Sequence, residues 1–332
     1  MGSRSTSARR HRKQQLKCLQ GANVYRHKNP FVHLRSKWQF LKTQYGFQRR
    51  PLLTIVRLFS WMARCLMQNV VIVNLRRWQV KMVLPGEWRG LGKFLFVFRE
   101  NYEPELTELE RLLSPGDTFV DVGANFGIYT LVASKLVGES GRVIALEPTV
   151  QSFEGLQKNI ALNNLRNALA FPLAASDKAG TAWLYYGTDP VRNSLGKDPC
   201  CESGGEQVAT ESLDNILNQA GGGRVDVIKM DAEGAEELVL RGATNLLTSM
   251  HPIVIYEKNP EASAHLGLAA DGATNLLAGL GYKFFVHKQP GTACSDRLSP
   301  GYFNIVALPR TASRPRGQQT ELATLVMNAK ER

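Results

Sequence analysis

Apolar runs and amphipathic segments alternate regularly between residues 118 and 308. Short apolar runs end at Asp121, Glu147 and Asp231, and such runs are typical of buried strands. After Gly127, apolar residues recur at three- and four-residue intervals, which predicts a helix that packs one face on a sheet. The alternation of strands and helices predicts an α/β fold with a doubly wound, mostly parallel sheet.

The same pattern predicts the order of the elements. The predicted strands are 119–122, 143–147, 169–174, 225–230 and 253–256, with a closing hairpin of 282–286 and 303–308, and residues 181–213 form an insertion. The predicted regions are a basic, disordered tail (1–50), a small capping region of one helix and two strands (51–100), the main domain (101–308) and a polar tail (309–332).

Charge is distributed unevenly along the 332 residues, whose formal net charge is +12. Residues 1–86 contain 18 Lys and Arg and no carboxylate, so the rest of the chain holds 23 basic and 29 acidic residues and is mildly acidic. The basic N-terminal extension is either a solvated tail or a surface for anionic lipid or nucleic acid.

The five cysteines are scattered and form no CxxC pair, which argues against a disulfide framework and a structural zinc site. Arg57 and Arg64 interrupt the apolar stretch 52–73, so a membrane-spanning helix is not expected. These features favour a cytoplasmic protein, with peripheral membrane contact as an alternative.

The segment from Asp121 to Gly127 predicts a nucleoside-binding turn between a strand and a helix. Its glycines are spaced GxxxG, whereas the dinucleotide fingerprint is GxGxxG and admits a pyrophosphate. S-adenosyl-L-methionine (SAM) has no phosphate and carries two cationic groups, so a carboxylate at the strand end suits it. Glu147, at the end of the second strand, can accept hydrogen bonds from ribose hydroxyls.

Ligands of open α/β sheets bind at the carboxyl ends of strands. That rule brings Asp121, Glu147, Ser176, Asp177, Asp231 and Glu257 to one edge. Lys229 and Asp231 lie two residues apart on a strand and share a face. Glu233 and Glu236 follow directly, and Glu236 is also explained as an acid that complements a helix N-terminus.

Several ordered motifs resemble the FkbM-type family of SAM-dependent methyltransferases over residues 95–260. They are Tyr102-Glu103-Pro104-Glu105, 121–127, Glu147-Pro148, Asn159 with Leu162-Asn163, 212–214, the string 229–236 and Glu257. The resemblance implies a class I, Rossmann-like methyltransferase fold and O-methylation of a hydroxyl on a sugar, glycolipid or natural product. The implied SAM-binding residues are Asp121, Gly123, Asn125, Gly127, Glu147, Pro148, Ser176 and Asp177.

The hydroxyl of the acceptor must lose its proton during methyl transfer, which calls for a general base. We expect Asp231 to act as that base, with Lys229, Glu233 and Glu257 as the other catalytic residues. In an alternative, Asp231 and Glu257 bind a divalent cation that acidifies the hydroxyl. No metal is part of the predicted site.

Three other functions remain open at this point. A nucleic-acid methyltransferase would use the basic arm, but Asp-Ala-Glu-Gly after the fourth strand is not the turn of base N-methylating enzymes. The GxxxG spacing disfavours a nicotinamide-dependent oxidoreductase. The last alternative is a non-catalytic, membrane-associated SAM-fold protein.

Overall fold

The computed structural model describes residues 38–39, 41–67, 70–86, 91–103, 105–187, 193–197, 204–286 and 303–310. The predicted tails, residues 1–50 and 309–332, therefore lie largely outside the described residues.

The centre of the fold is a seven-stranded sheet. Its strands are β3 (Thr118–Val122), β4 (Arg142–Leu146), β5 (Ala168–Phe171), β9 (Val227–Met230), β10 (Ile253–Lys258), β11 (Lys283–Val286) and β12 (Phe303–Leu308). Their order in the sheet is β11-β12-β10-β9-β3-β4-β5. Strands β5, β4, β3, β9 and β10 run parallel, while β12 pairs antiparallel with β10 and β11. The predicted α/β fold with a mostly parallel sheet is confirmed.

Helices cover both faces of this sheet. In the main domain they are α4 (Glu105–Leu112), α5 (Ile128–Val137), α6 (Val150–Leu162), α7 (Leu213–Gln219), α8 (Glu236–Arg241), α9 (Thr244–Met250), α10 (Pro260–His265) and α11 (Gly272–Gly279). Successive residues of β3 enter two separate cores, since Phe119 packs in one and Val120 in the other. The near-continuous apolar runs in the sequence reflect this burial on both faces.

The predicted third strand, 169–174, is wrong in its extent. Strand β5 ends at Phe171, and β6 (Ala174–Ala175) belongs to a separate three-stranded sheet. Pro172 separates the two strands, and a proline has no N–H to donate to a ladder. The other two strands, β7 (Gly180–Tyr185) and β8 (Gly205–Glu211), form an antiparallel pair within the predicted insertion.

The N-terminal elements are α1 (Tyr45–Arg49), α2 (Pro51–Met67), β1 (Val70–Leu75), β2 (Val80–Pro85) and α3 (Leu91–Phe98), with short 3-10 turns at Arg76–Trp78 and Arg99–Asn101. The helix and the two strands lie where the pattern predicts them. Trp61 of α2 packs on Phe96 of α3, with ring centroids 5.3 Å apart. None of the helices described is long and apolar enough to cross a bilayer.

Asn159 on α6 and Asn163, the residue that caps the C-terminus of α6, hold this hairpin against the main domain. The Asn159 side chain accepts from the N–H of Val83 at 2.7 Å and donates to the Val83 carbonyl at 3.2 Å and the Phe126 carbonyl at 2.9 Å. Asn163 makes the same pair of bonds with the backbone of Lys81, at 2.8 and 2.6 Å. The two asparagines thus hold alternate residues of β2.

Candidate active site

The turn after β3 has the left-handed backbone that its glycines and asparagine permit. The φ angles are +76° at Gly123, +50° at Asn125 and +92° at Gly127. A Cβ at position 123 would collide with the carbonyl oxygen of Asp231, so Gly123 allows the ends of β3 and β9 to approach closely. A Cβ at position 127 would lie 2.5 Å from Leu156, which packs α6 against the turn.

Glu147, directly after β4, holds this turn in place. Its carboxylate accepts from the N–H of Asn125 at 2.8 Å and from the N–H and hydroxyl of Thr149 at 2.9 and 2.6 Å. Burial raises the pKa of the Glu147 carboxyl. Glu147 also lines the cleft beside the turn. Its predicted contact with a ribose stays a prediction, and its hydrogen bonds show a second role in shaping the turn.

Asp121 lies behind the turn and not among the residues that line the cleft. Its side chain is fully buried, and one oxygen accepts from the Thr130 hydroxyl at 2.6 Å. The other oxygen, Oδ1, has no hydrogen-bond partner among the described residues. Burial raises the pKa of Asp121, and the nearby Lys229 ammonium opposes that rise. Asp121 can therefore act on a bound cation mainly through its field.

Lys229 is the buried cation at the centre of the site. Its ammonium lies 3.2 Å from Asp231 Oδ2 and 4.4 Å from the ring centroid of Tyr129, a cation–π distance. Burial disfavours its charge, but the carboxylates of Asp231, Asp121 and Glu103 together raise the pKa of Lys229 above its ordinary value. Lys229 is thus held as an ammonium.

Tyr129 and Glu103 complete this network, and sequence reasoning gave neither a role. The Tyr129 hydroxyl donates a short hydrogen bond to the Glu103 carboxylate. Burial and the neighbouring Glu105 carboxylate raise the pKa of Glu103 to about 7. A cation bound in the cleft would favour its ionised form. The available signal was the position of Glu103 in the motif before α4.

A cluster of acids lies where β9 and β10 end. Carboxylate oxygens of Asp231, Glu233 and Glu257 all lie within 4.8 Å of one another. Glu236 instead turns back to the chain and accepts from the N–H groups of Ala232 at 2.9 Å and Gly234 at 3.4 Å. Glu236 therefore satisfies backbone N–H groups in the turn that leads into α8.

The cleft between the strand ends has about 960 Å³ of space, including its open mouth. The predicted site residues that line it are Gly123, Asn125, Glu147, Pro148, Lys229, Asp231 and Glu233. Five others do not: Asp121, Gly127, Ser176, Asp177 and Glu257. In place of Ser176 and Asp177, residues 173–175 line this part of the cleft, and Asp177 is exposed. An adenine contact by these two residues stays a prediction.

The charges of the described cleft suit a cationic ligand. Four carboxylates (Glu103, Glu147, Asp231 and Glu233) and a single ammonium, that of Lys229, line it. This excess of negative charge attracts a sulfonium and an ammonium and repels a pyrophosphate. The residues therefore fit SAM better than a dinucleotide.

Comparison with known proteins agrees with this chemistry. The family model described as "Methyltransferase FkbM domain" matches residues 121–284. The methyltransferase sdnD of Sordaria araneosa is 28% identical over 178 residues, covering 44% of this chain and 68% of that protein. The hexuronic acid methyltransferase AglP of Haloferax volcanii is 24% identical over 241 residues, and the match covers 73% of this chain and 84% of AglP.

A crystal structure of the methyltransferase FkbM from Methylobacillus flagellatus is also similar, with a TM-score of 0.42 and 16% identity. The likeness covers 65% of this chain and about half, 53%, of that one. Residues 121–284 thus form a methyltransferase domain of the FkbM type, and the acidic cleft and the α/β fold agree with the SAM dependence of that family.

Proposed function

We propose that this protein transfers the methyl group of SAM to a hydroxyl oxygen of a sugar, glycolipid or other natural-product acceptor. The observation that carries the proposal is the position of Asp231, a cleft-lining carboxylate that Lys229 holds at the end of β9. A relative that covers 73% of the chain acts, by its name, on a hexuronic acid, and sugar hydroxyls belong to the proposed acceptor class.

Asp231 is the proposed general base. SAM supplies an electrophilic methyl carbon on a sulfonium, so the protein's task is to orient the acceptor and remove its proton. Lys229 contacts Oδ2 of Asp231, which fixes the carboxylate and leaves Oδ1 to take the proton. Lys229 is then a positioning residue, and its own proton stays in place because three carboxylates raise its pKa.

The second version of the mechanism uses a divalent cation. Oxygens of Asp231, Glu233 and Glu257 lie close enough to share one ion, and hard oxygen ligands suit Mg²⁺. Such an ion would acidify the acceptor hydroxyl directly. Turnover that is lost in EDTA and restored by added Mg²⁺ supports this version. Turnover unchanged after exhaustive chelation supports the general base alone.

The proposal is tested with SAM that carries a labelled methyl group. The protein is incubated with separate lipid, glycan, small-molecule and RNA pools, and transfer to a hydroxyl in one of the first three pools is the expected result. Transfer to RNA would contradict the proposed acceptor class.

Asp231→Asn tests the role of the base once an acceptor is known. We expect turnover to fall by about 10²- to 10⁴-fold, while the affinity for SAM stays within a fewfold of the parent protein. Glu139→Gln, at an exposed acid on the opposite edge of the sheet, is the matched control and should change neither value. Full activity of Asp231→Asn would refute the assignment.

A further inference from the structure

Helix α2 buries one side and leaves an apolar stripe exposed on the other. Trp61 is buried against α3, while on the opposite side Leu52 is 80% exposed, Phe59 68% and Leu66 77%. At 100° per residue these three positions fall within a 40° arc, so they form one line along the helix. The complete α2 stripe consists of Leu52, Val56, Phe59, Ala63, Leu66 and Met67.

The chain around the α2 stripe is strongly basic. No carboxylate occurs before Glu87, and 18 Lys and Arg precede it. Two of these, Arg57 and Arg64, lie between the stripe and α3, where Arg57 donates to the Val97 carbonyl at 3.0 Å and Arg64 lies 5.4 Å from the Phe96 ring centroid. An apolar stripe beside cations, with no opposing anion in the surrounding sequence, has the composition of a helix that lies in a membrane interface.

We propose that the α2 stripe docks this protein on an anionic membrane surface. The apolar side chains enter the boundary between headgroups and acyl chains, and cations of the basic segment 1–86 other than Arg77, which pairs with Glu110, bind the anionic headgroups. The helix lies in the plane of the membrane, since α2 has 17 residues and includes two arginines. Charge complementarity favours this occupant over a second copy of the chain, which would bring the same cations together.

The docked surface would lie close to the cleft. Helix α3 packs against α2 through Phe96 and Trp61, and its first residue, Leu91, lines the cleft. A membrane-bound protein would thus hold the α3 side of its cleft near the lipid surface. This inference is independent of the acceptor, because docking is measured without turnover.

The test is sedimentation of the full chain with vesicles of phosphatidylcholine alone or with phosphatidylserine added. We expect binding to the anionic vesicles that weakens as salt is raised. The double variant Phe59→Gln with Leu66→Gln removes apolar side chains without changing the charge and should weaken binding at least about tenfold. The matched control is Leu162→Gln with Leu169→Gln, at positions 40% and 41% exposed in the main domain, and should bind as the parent does.

Three results would overturn the proposal. The first is equal binding to neutral and anionic vesicles. The second is unchanged binding by the Phe59 and Leu66 double variant, which would assign all affinity to the basic segment. The third is a parent protein that is dimeric without lipid and becomes monomeric through the same two substitutions, which would assign the stripe to a second copy. Retained SAM binding by each variant controls for folding.

Discussion

Replacing Asn159 by alanine tests how the β1–β2 hairpin is fastened to the methyltransferase domain. Asn159 is fully buried, and its side chain makes three hydrogen bonds, two to Val83 and one to Phe126. Each bond contributes about 1 kcal/mol net, and each polar group left buried without a partner costs about 1–3 kcal/mol. The three bonds together set a lower limit of about 3 kcal/mol, and water can partly reach the half-buried Val83 and Phe126. We therefore expect Asn159→Ala to lower the free energy of unfolding by about 3–5 kcal/mol.

Asn163, which caps the same helix, provides a matched comparison. It makes the same pair of bonds to Lys81 and a third to the Asn159 carbonyl at 2.7 Å, but the pair to Lys81 is exposed to solvent, so water can replace the lost side chain. Asn163→Ala should cost only about 1 kcal/mol.

Urea unfolding of both variants, followed by tryptophan fluorescence and circular dichroism, gives the two free energies. Because Asn159 also holds the carbonyl of Phe126 in the turn after β3, its loss should weaken SAM binding as well. Equal and small losses of stability in the two variants would refute the reasoning that burial separates them.

Further predictions concern the first turn and the start of α8. Gly123→Ala should lower both stability and SAM affinity, because the added Cβ collides with the Asp231 carbonyl at a position whose φ is left-handed. The control is Gly116→Ala, at a position that also has a left-handed φ but where the nearest atom to an added Cβ is 3.8 Å away. Its free energy of unfolding should fall by only about 1 kcal/mol. Similar losses in thermal melts of the two would contradict the close approach of β3 and β9. Burial raises the pKa of Glu236 to about 7 from 4.5, so its stabilising contribution is complete below pH 4.5 and is lost as the pH rises through 7. Glu236→Gln keeps an acceptor for both N–H groups and should flatten the fall in unfolding free energy between pH 4.5 and 7 by up to about 3 kcal/mol. Parallel pH profiles for parent and variant would contradict that assignment.

The sequence predicted the sheet well because its strands are buried on both faces and read as continuous apolar runs. It predicted the third strand poorly, because the apolar run continues past Pro172, and hydrophobicity alone does not report the missing N–H. The rule for strand ends predicts that Ser176 and Asp177, which follow this run, lie on the cleft. In the structure they follow a strand of a different sheet.

The candidate site was predictable where residues directly follow parallel strands. Gly123, Glu147 and Asp231 line the cleft for that reason. Contacts that join distant segments left no periodic signal. The bond from Tyr129 to Glu103 spans 26 residues, and that from Asn159 to Val83 spans 76. Spacing within one element places side chains on a shared face but does not name the partner that packs there.

The central claim is that the acidic cleft beside the first turn binds SAM. Isothermal titration calorimetry of the purified chain with SAM, its demethylated product and NADH tests it most directly. The account predicts saturable one-to-one binding of SAM and of the product and no binding of NADH, because four carboxylates and one lysine line the described cleft. Binding of NADH, with no heat from SAM or its product on folded protein, would contradict it.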